Sequence, residues 1–122
     1  MHDSATGQVG LLMVVEALLR AGFNVAVPVF DVGYDLIAIR DAKVWRLQVK
    51  ATARSGVAKS NRVRARRGKG KKSDYTDQHC DALIAVHVVR RRIVCLTLKQ
   101  LNGRAWISFT DAAEGCPFDA LR

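Results

Sequence analysis

Apolar residues near the start of the chain recur at helical spacing: Val9, Leu12, Val15, Leu18 and Leu19. Leu11, Met13 and Val14 fill other faces, so 5–21 reads as a helix apolar nearly all round and well buried. Gly22 follows the last periodic residue and supplies a stop. The period then shortens to two. Val25, Val27 and Val29 predict a strand over 24–30, and 35–40 and 44–52 predict two more, joined by a tight turn at Asp41-Ala42. Beyond a long break, 82–89 and 93–98 form a second strand pair around the tip Arg90-Arg91-Arg92. In the tail, 99–102 reads as a helical turn, 105–109 as a short strand, and Ser108-x-x-Asp111 as the cap of a final short helix. A helix, three strands, a break and further strands give an α/β or α+β domain.

The second and third strands can be tested geometrically. A two-residue turn at Asp41-Ala42 sets Arg40 opposite Lys43, and therefore Asp35 opposite Gln48, about 5 Å apart on one face. Lys50, two residues beyond Gln48, points the same way. Leu36, Ala38, Trp45, Leu47, Val49 and Ala51 form the opposite, apolar face. A slip of one residue would destroy this division. The polar face suits phosphodiester hydrolysis: Asp35 offers oxygen to a hard divalent cation, Gln48 a neutral carbonyl oxygen to the same ion or its water. Lys50 can orient the attacking water or stabilise the developing oxyanion. The same spacing also describes a surface hairpin whose wet face carries a weak Asp35–Lys50 ion pair.

Composition narrows the partners. The 122 residues fit one domain, and 49% hydrophobic content suffices for a core. The formal net charge of +9 predicts an anionic partner, nucleic acid before membrane or acidic protein. Its distribution says more. Arg54, Lys59, Arg62, Arg64, Arg66, Arg67, Lys69, Lys71 and Lys72 stand among small and polar residues, with no Asp or Glu between Asp41 and Asp74. Such a block repels itself and buries little, so 54–74 reads as a flexible basic insertion that orders on binding DNA. Its arginines can neutralise phosphates or reach guanine edges, and Thr52 is a candidate phosphate donor beside Lys50. No apolar run is long enough to span a membrane, and no secretion signal is visible, which points to the cytoplasm. Cys80, Cys95 and Cys116 are too widely spaced for a disulfide framework or CxxC metal site and read as buried, unreactive thiols. Trp45 and Trp106 read as core.

Gly22-Phe23, Pro28, Tyr34-Asp35-Leu36 and Leu47-Gln48-Val49-Lys50-Ala51 together resemble the core of the PD-(D/E)XK nucleases. The likeness is greatest to a subgroup of small intron-associated homing endonucleases in which Gln replaces the usual Glu. Tyr75-Thr76 and the run 81–86 resemble that subgroup's next segment, so the resemblance covers about 7–98. It implies a restriction-endonuclease-like α/β fold with an αβββαβ core around a mixed sheet, Mg²⁺ or Mn²⁺ dependence, and DNA cleavage. By position Asp35 is the metal carboxylate, Gln48 the replacement for the second acid, Lys50 the catalytic lysine, and the Val49 peptide carbonyl a further metal ligand. One departure stands out: many relatives carry Glu directly after a Gly of the first helix, where this chain has Gly10-Leu11. Glu16, the helix's remaining acid, is either a displaced site acid or the i,i+4 partner of Arg20. The sequence thus predicts a Mg²⁺-dependent endonuclease acting on duplex or branched DNA such as a Holliday junction, with a homodimer or higher homo-oligomer as its candidate assembly. The alternatives are a catalytically impaired DNA- or RNA-binding module on the same scaffold and a ribosome-associated basic protein.

Overall fold

One face of the first helix finds a sheet to cover. In the computed structural model, which describes residues 3–54, 61–68, 73–111 and 116–121, α1 spans Asp3–Arg20. Thr6, Gly10, Val14 and Leu18, each four residues on, form its buried stripe, whereas Leu12 is 66% and Leu19 54% exposed. The all-round burial expected from composition is therefore corrected: a helix laid on one sheet covers a single stripe, however apolar its other faces.

Seven strands follow among the described residues: β1 (Asn24–Ala26), β2 (Leu36–Arg40), β3 (Lys43–Thr52), β4 (Arg62–Arg64), β5 (Ala82–His87), β6 (Arg92–Thr97) and β7 (Trp106–Ser108). A five-stranded sheet runs β1-β2-β3-β5-β6, with β3 and β5 parallel and the other neighbours antiparallel. β4 and β7 pair as a separate antiparallel ribbon. The parallel step from β3 to β5 requires a crossover, and the basic insertion is that crossover. The αβββαβ pattern places a helix there; among the described residues the crossover carries β4 instead. Arg62-Val63-Arg64-Ala65 alternates with period two, burying Val63 and Ala65, so this part of the insertion is a strand and not the loop its charge suggests.

The molecule is layered. On one face of the sheet, Val14 and Leu18 of α1 meet Leu36, Leu47, Ile84 and Val86, joined by Phe118 and Leu121 from the 3-10 turn Pro117–Ala120 and its flank. On the other, Leu83, Ala85 and Val94 meet Val63, Ile107 and Phe109 of the ribbon side, with Leu101 of a short helix α2 (Leu98–Leu101). β5 lies between these layers, and all six of its residues are buried. Each fully buried leucine of this kind contributes about 1.5–3 kcal/mol. Gly10 sets the spacing on the helix side: a Cβ there would fall 2.6 Å from the Ala51 Cβ and 2.9 Å from the Val86 Cγ1.

Three further expectations change. The strand over 24–30 stops at Ala26, the last residue paired with β2, and Pro28 just beyond has no N–H to donate; Val29 is 99% exposed. Cys116 is exposed, while Cys80 and Cys95 are buried, their thiols pushed up to about 11 and about 12 by burial. Trp106 is 37% exposed and lies outside the core, whereas Trp45 packs against it. The tail follows its pattern. Thr97 and Gln100 close a capping box on α2, and Ser108 Oγ accepts from Thr110 N (3.2 Å) at the 3-10 turn Phe109–Asp111.

Candidate active site

The site begins with the β2–β3 turn. Asp41 and Ala42 adopt φ of 55° and 63°, the paired positive values of a type I′ hairpin turn. The register is then Arg40–Lys43 through Leu36–Leu47, as the two-residue turn requires. Asp35 stands one residue before β2, its N–H donating to the Leu47 carbonyl at 2.9 Å. Its Oδ2 accepts from Gln48 Nε2 (2.9 Å) and from the Val49 N–H (2.9 Å). Burial pushes the Asp35 carboxyl above its ordinary range, against the Val49 N–H and the Lys50 charge, which favour the ionised form; Asp31 adds to the rise. Burial likewise lowers Lys50, against the pull of Asp35. The Lys50 ammonium donates to the Arg66 carbonyl at 3.4 Å and lies 5.3 Å from the Tyr75 ring centroid.

Asp35 and Gln48 open into a cleft of ≈480 Å³ whose polar lining also includes Asp31, Tyr34, Arg67 and Tyr75. Leu11 and the chain at 27–30 form its apolar wall. A smaller recess joins Leu11 and Gln8 of α1 to Asp35, Gln48 and Val49. Burial holds the Tyr75 hydroxyl up at about 12, so it is a donor at neutral pH.

The family model described as PD-(D/E)XK endonuclease matches residues 1–98, which include Asp35, Gln48 and Lys50. The chain belongs to the PD-(D/E)XK endonucleases. Among solved structures, a bacterial homing endonuclease, I-Ssp6803I, is similar with a TM-score of 0.76 at 17% identity, covering 93% of this chain and 82% of that one. The fold is therefore restriction-endonuclease-like, a mixed sheet backed by α1. No curated protein matches the chain.

Within this PD-(D/E)XK chain, Asp35, Gln48 and the Val49 backbone come together, while Lys50 lines the neighbouring cleft, near enough for its charge to act on Asp35. Glu16 does not join them: it is exposed and bonds Arg20 Nε at 3.1 Å. Leu11 does line the recess beside Asp35 and Gln48, so the helix position at which the resemblance leads one to expect a Glu is apolar here. Asp81, at the head of β5, is held by Arg46 at 3.0 Å; burial raises its pKa, but Arg46's hydrogen bonds and charge leave it below its ordinary range.

The predicted nucleic-acid contacts divide. Thr52, Arg54, Arg62, Arg64 and Arg66 line a second cleft of ≈360 Å³ beside Lys50. Arg67 lines the Asp35 cleft. Arg66 is ion-paired with Asp74 and donates to the Gly103 carbonyl, so part of its charge is already answered. Lys59, Lys69, Lys71 and Lys72 lie outside the described residues. Tyr75, Tyr34, Asp31 and Gln8 were not legible as site residues. Tyr34 and Tyr75 carried a signal, because both stand in segments that resemble the family; Asp31 and Gln8 reach the cleft through loop and helix packing.

Proposed function

We propose that this chain is a Mg²⁺- or Mn²⁺-dependent DNA endonuclease in which Asp35, Gln48 and Lys50 form the reactive centre. The carrying observation is the half-buried Asp35 carboxylate, bonded by Gln48 and the Val49 N–H beside Lys50. PD-(D/E)XK nucleases generally use divalent metals, and the donors here are hard oxygens: the Asp35 carboxylate, the Gln48 amide and the Val49 carbonyl. A strand residue directs its N–H and C=O to one side, so the Val49 carbonyl faces the same edge as the N–H given to Asp35. Mg²⁺ is held by one or two carboxylates with water completing its shell, which suits a single Asp. The buried carboxylate, whose charge is disfavoured where it stands, gains most from a cation.

A bound ion would polarise the phosphate and lower the pKa of an attacking water. The chain's own groups do the rest. Asp35 fixes the charge that selects a cation. Gln48 now presents Nε2 to Asp35 and would turn its amide to offer Oε1. Lys50, which now donates to the Arg66 carbonyl beside Tyr75, would turn its ammonium to a phosphate oxygen or the water. Arg67 adds positive charge to the cleft. Cutting both strands in one encounter needs two such centres, which a homodimer would supply, and a four-way junction is a branched substrate with matching symmetry.

A second reading, a nucleic-acid-binding module with little catalytic power, is favoured by Leu11, which puts a leucyl side chain where a second carboxylate would strengthen ion binding. Incubating the chain with duplex, junction and single-stranded DNA, with and without Mg²⁺, beside Lys50→Ala, tests both readings. Mg²⁺-dependent cleavage lost in Lys50→Ala supports the nuclease. Tight, salt-sensitive binding with cleavage no greater than in that variant supports the module.

A further inference from the structure

The described arginines differ in how their charge is answered. Arg20, Arg46 and Arg66 meet the carboxylates of Glu16, Asp81 and Asp74. Arg40 and Arg92 donate to main-chain carbonyls. Arg62 and Arg64 have no carboxylate partner among the described residues. Their guanidinium carbons lie instead 4.0 Å and 4.9 Å from the centroid of the Trp106 ring. The Nε of Arg62 is buried and has no hydrogen-bond partner among the described residues.

The ribbon explains this arrangement. β4 pairs with β7 so that Arg64 stands opposite Trp106 and Arg62 opposite Ser108. Side chains alternate along each strand, and Val63 and Ile107 take the buried face, so Arg62, Arg64, Trp106 and Ser108 share the outer one. An aromatic face attracts a guanidinium without cancelling its charge. Trp106 thus holds two like charges side by side, and neither is answered by a carboxylate among the described residues. The cleft under this face is lined by Lys50, Arg54 and Trp106 together with both arginines. Gly68 lines it and the Asp35 cleft alike, so the two are neighbours.

We propose that the outer face of the β4–β7 ribbon is a backbone-phosphate site for the DNA strand flanking the reactive phosphate, with Trp106 bracing Arg62 and Arg64. The placement of that strand rests on the nuclease reading; the phosphate site does not. A phosphodiester presents acceptor oxygens that match the terminal N–H groups of the planar guanidinium fork. Trp106 is a brace and not a platform for a base, since a guanidinium already covers its ring at 4.0 Å.

The test is equilibrium binding of a labelled short duplex to the full chain in EDTA, across a salt series. Replacing both arginines (Arg62→Gln with Arg64→Gln) should flatten the slope of log K against log salt by about 1.8, about 0.9 for each lost phosphate contact. Trp106→Ala should weaken duplex binding several-fold while Trp106→Phe restores most of it, with unchanged far-ultraviolet circular dichroism in both. An unchanged slope in the double arginine variant overturns the proposal. So does a Trp106→Ala variant that loses affinity for single-stranded DNA alone, which would make the ring a base-stacking platform. Loss of slope in the arginine variant, with cleavage equal in wild type and Lys50→Ala, would leave the phosphate site standing while the nuclease reading failed.

Discussion

Two of the chain's antiparallel strand pairs carry the residues proposed to act on nucleic acid, and they are built in opposite ways. The β2–β3 hairpin joins neighbours in sequence through a two-residue turn, and its register follows from that turn alone. The β4–β7 ribbon joins segments from the middle and the end of the chain, and its register follows only from what it covers, Leu83, Ala85 and Val94. The hairpin puts its polar face into a cleft, where burial shifts Asp35 and Lys50 away from their ordinary ionisation. The ribbon puts its polar face outward, where two arginines rest on a ring. Local pairing fixes reactive groups relative to one another; distant pairing lays a cationic surface beside them.

The comparison predicts unequal stability. Leu47, fully buried on the hairpin between α1 and the sheet, should cost about 2–5 kcal/mol when changed to Ala, read as a loss of the global denaturation midpoint. Val63→Ala, on the ribbon, should cost less than half of that and raise hydrogen exchange at 62–64 ahead of the hairpin. Equal costs with uniform exchange would mean that the ribbon is as integral to the core as the hairpin. Gly10→Ala should follow at about 1–3 kcal/mol, because the added methyl meets Ala51 and Val86 and lifts α1 off the sheet. A neutral outcome in a thermal melt would mean that the helix shifts freely.

Smaller in size, but specific to the hairpin, is a pH effect. Burial raises the Asp35 pKa, so the folded chain holds that proton more tightly than the unfolded one. The contribution of Asp35 to stability therefore falls as pH rises from its ordinary 3.8 through the raised folded value, and its charged form is carried at a cost above that window. Asp35→Asn should thus gain stability over wild type as pH climbs through this window, with the gain flat above it. Lys50 behaves oppositely: its folded pKa is lowered, so stability rises with pH between that lowered value and 10.5. Denaturant midpoints against pH check both signs. Smallest of all, Glu16→Gln should leave DNA cleavage unchanged, since its carboxylate meets Arg20 on an exposed face.

The hairpin was legible because turn and alternation are local: Asp41-Ala42 fixed which residues oppose, and the apolar set Leu36, Ala38, Leu47 fixed which face turned inward. The ribbon was not. The arginines around Val63 and Ala65 hide a period-two pattern, since charge density argues for a loop until a distant partner such as Ile107 supplies something to cover. Trp106 misled for the same reason, an aromatic residue assigned to the core when its place was on the cationic face. Apolar periodicity placed α1, but composition could not tell that Leu12 and Leu19 would face away from the sheet. Leu11 was recognised as a departure from the family pattern, and only the fold set it against Asp35 and Gln48.

The most direct measurement is the single-turnover rate of cleavage of a labelled duplex in Mg²⁺, taken beside the affinity of the same DNA for wild type, Asp35→Asn and Lys50→Ala. With the carboxylate, amide and ammonium forming one reactive centre, each substitution lowers the rate by at least about 100-fold while affinity changes only a few-fold. Rates that stay within a few-fold of wild type in both variants, at full occupancy, would contradict it.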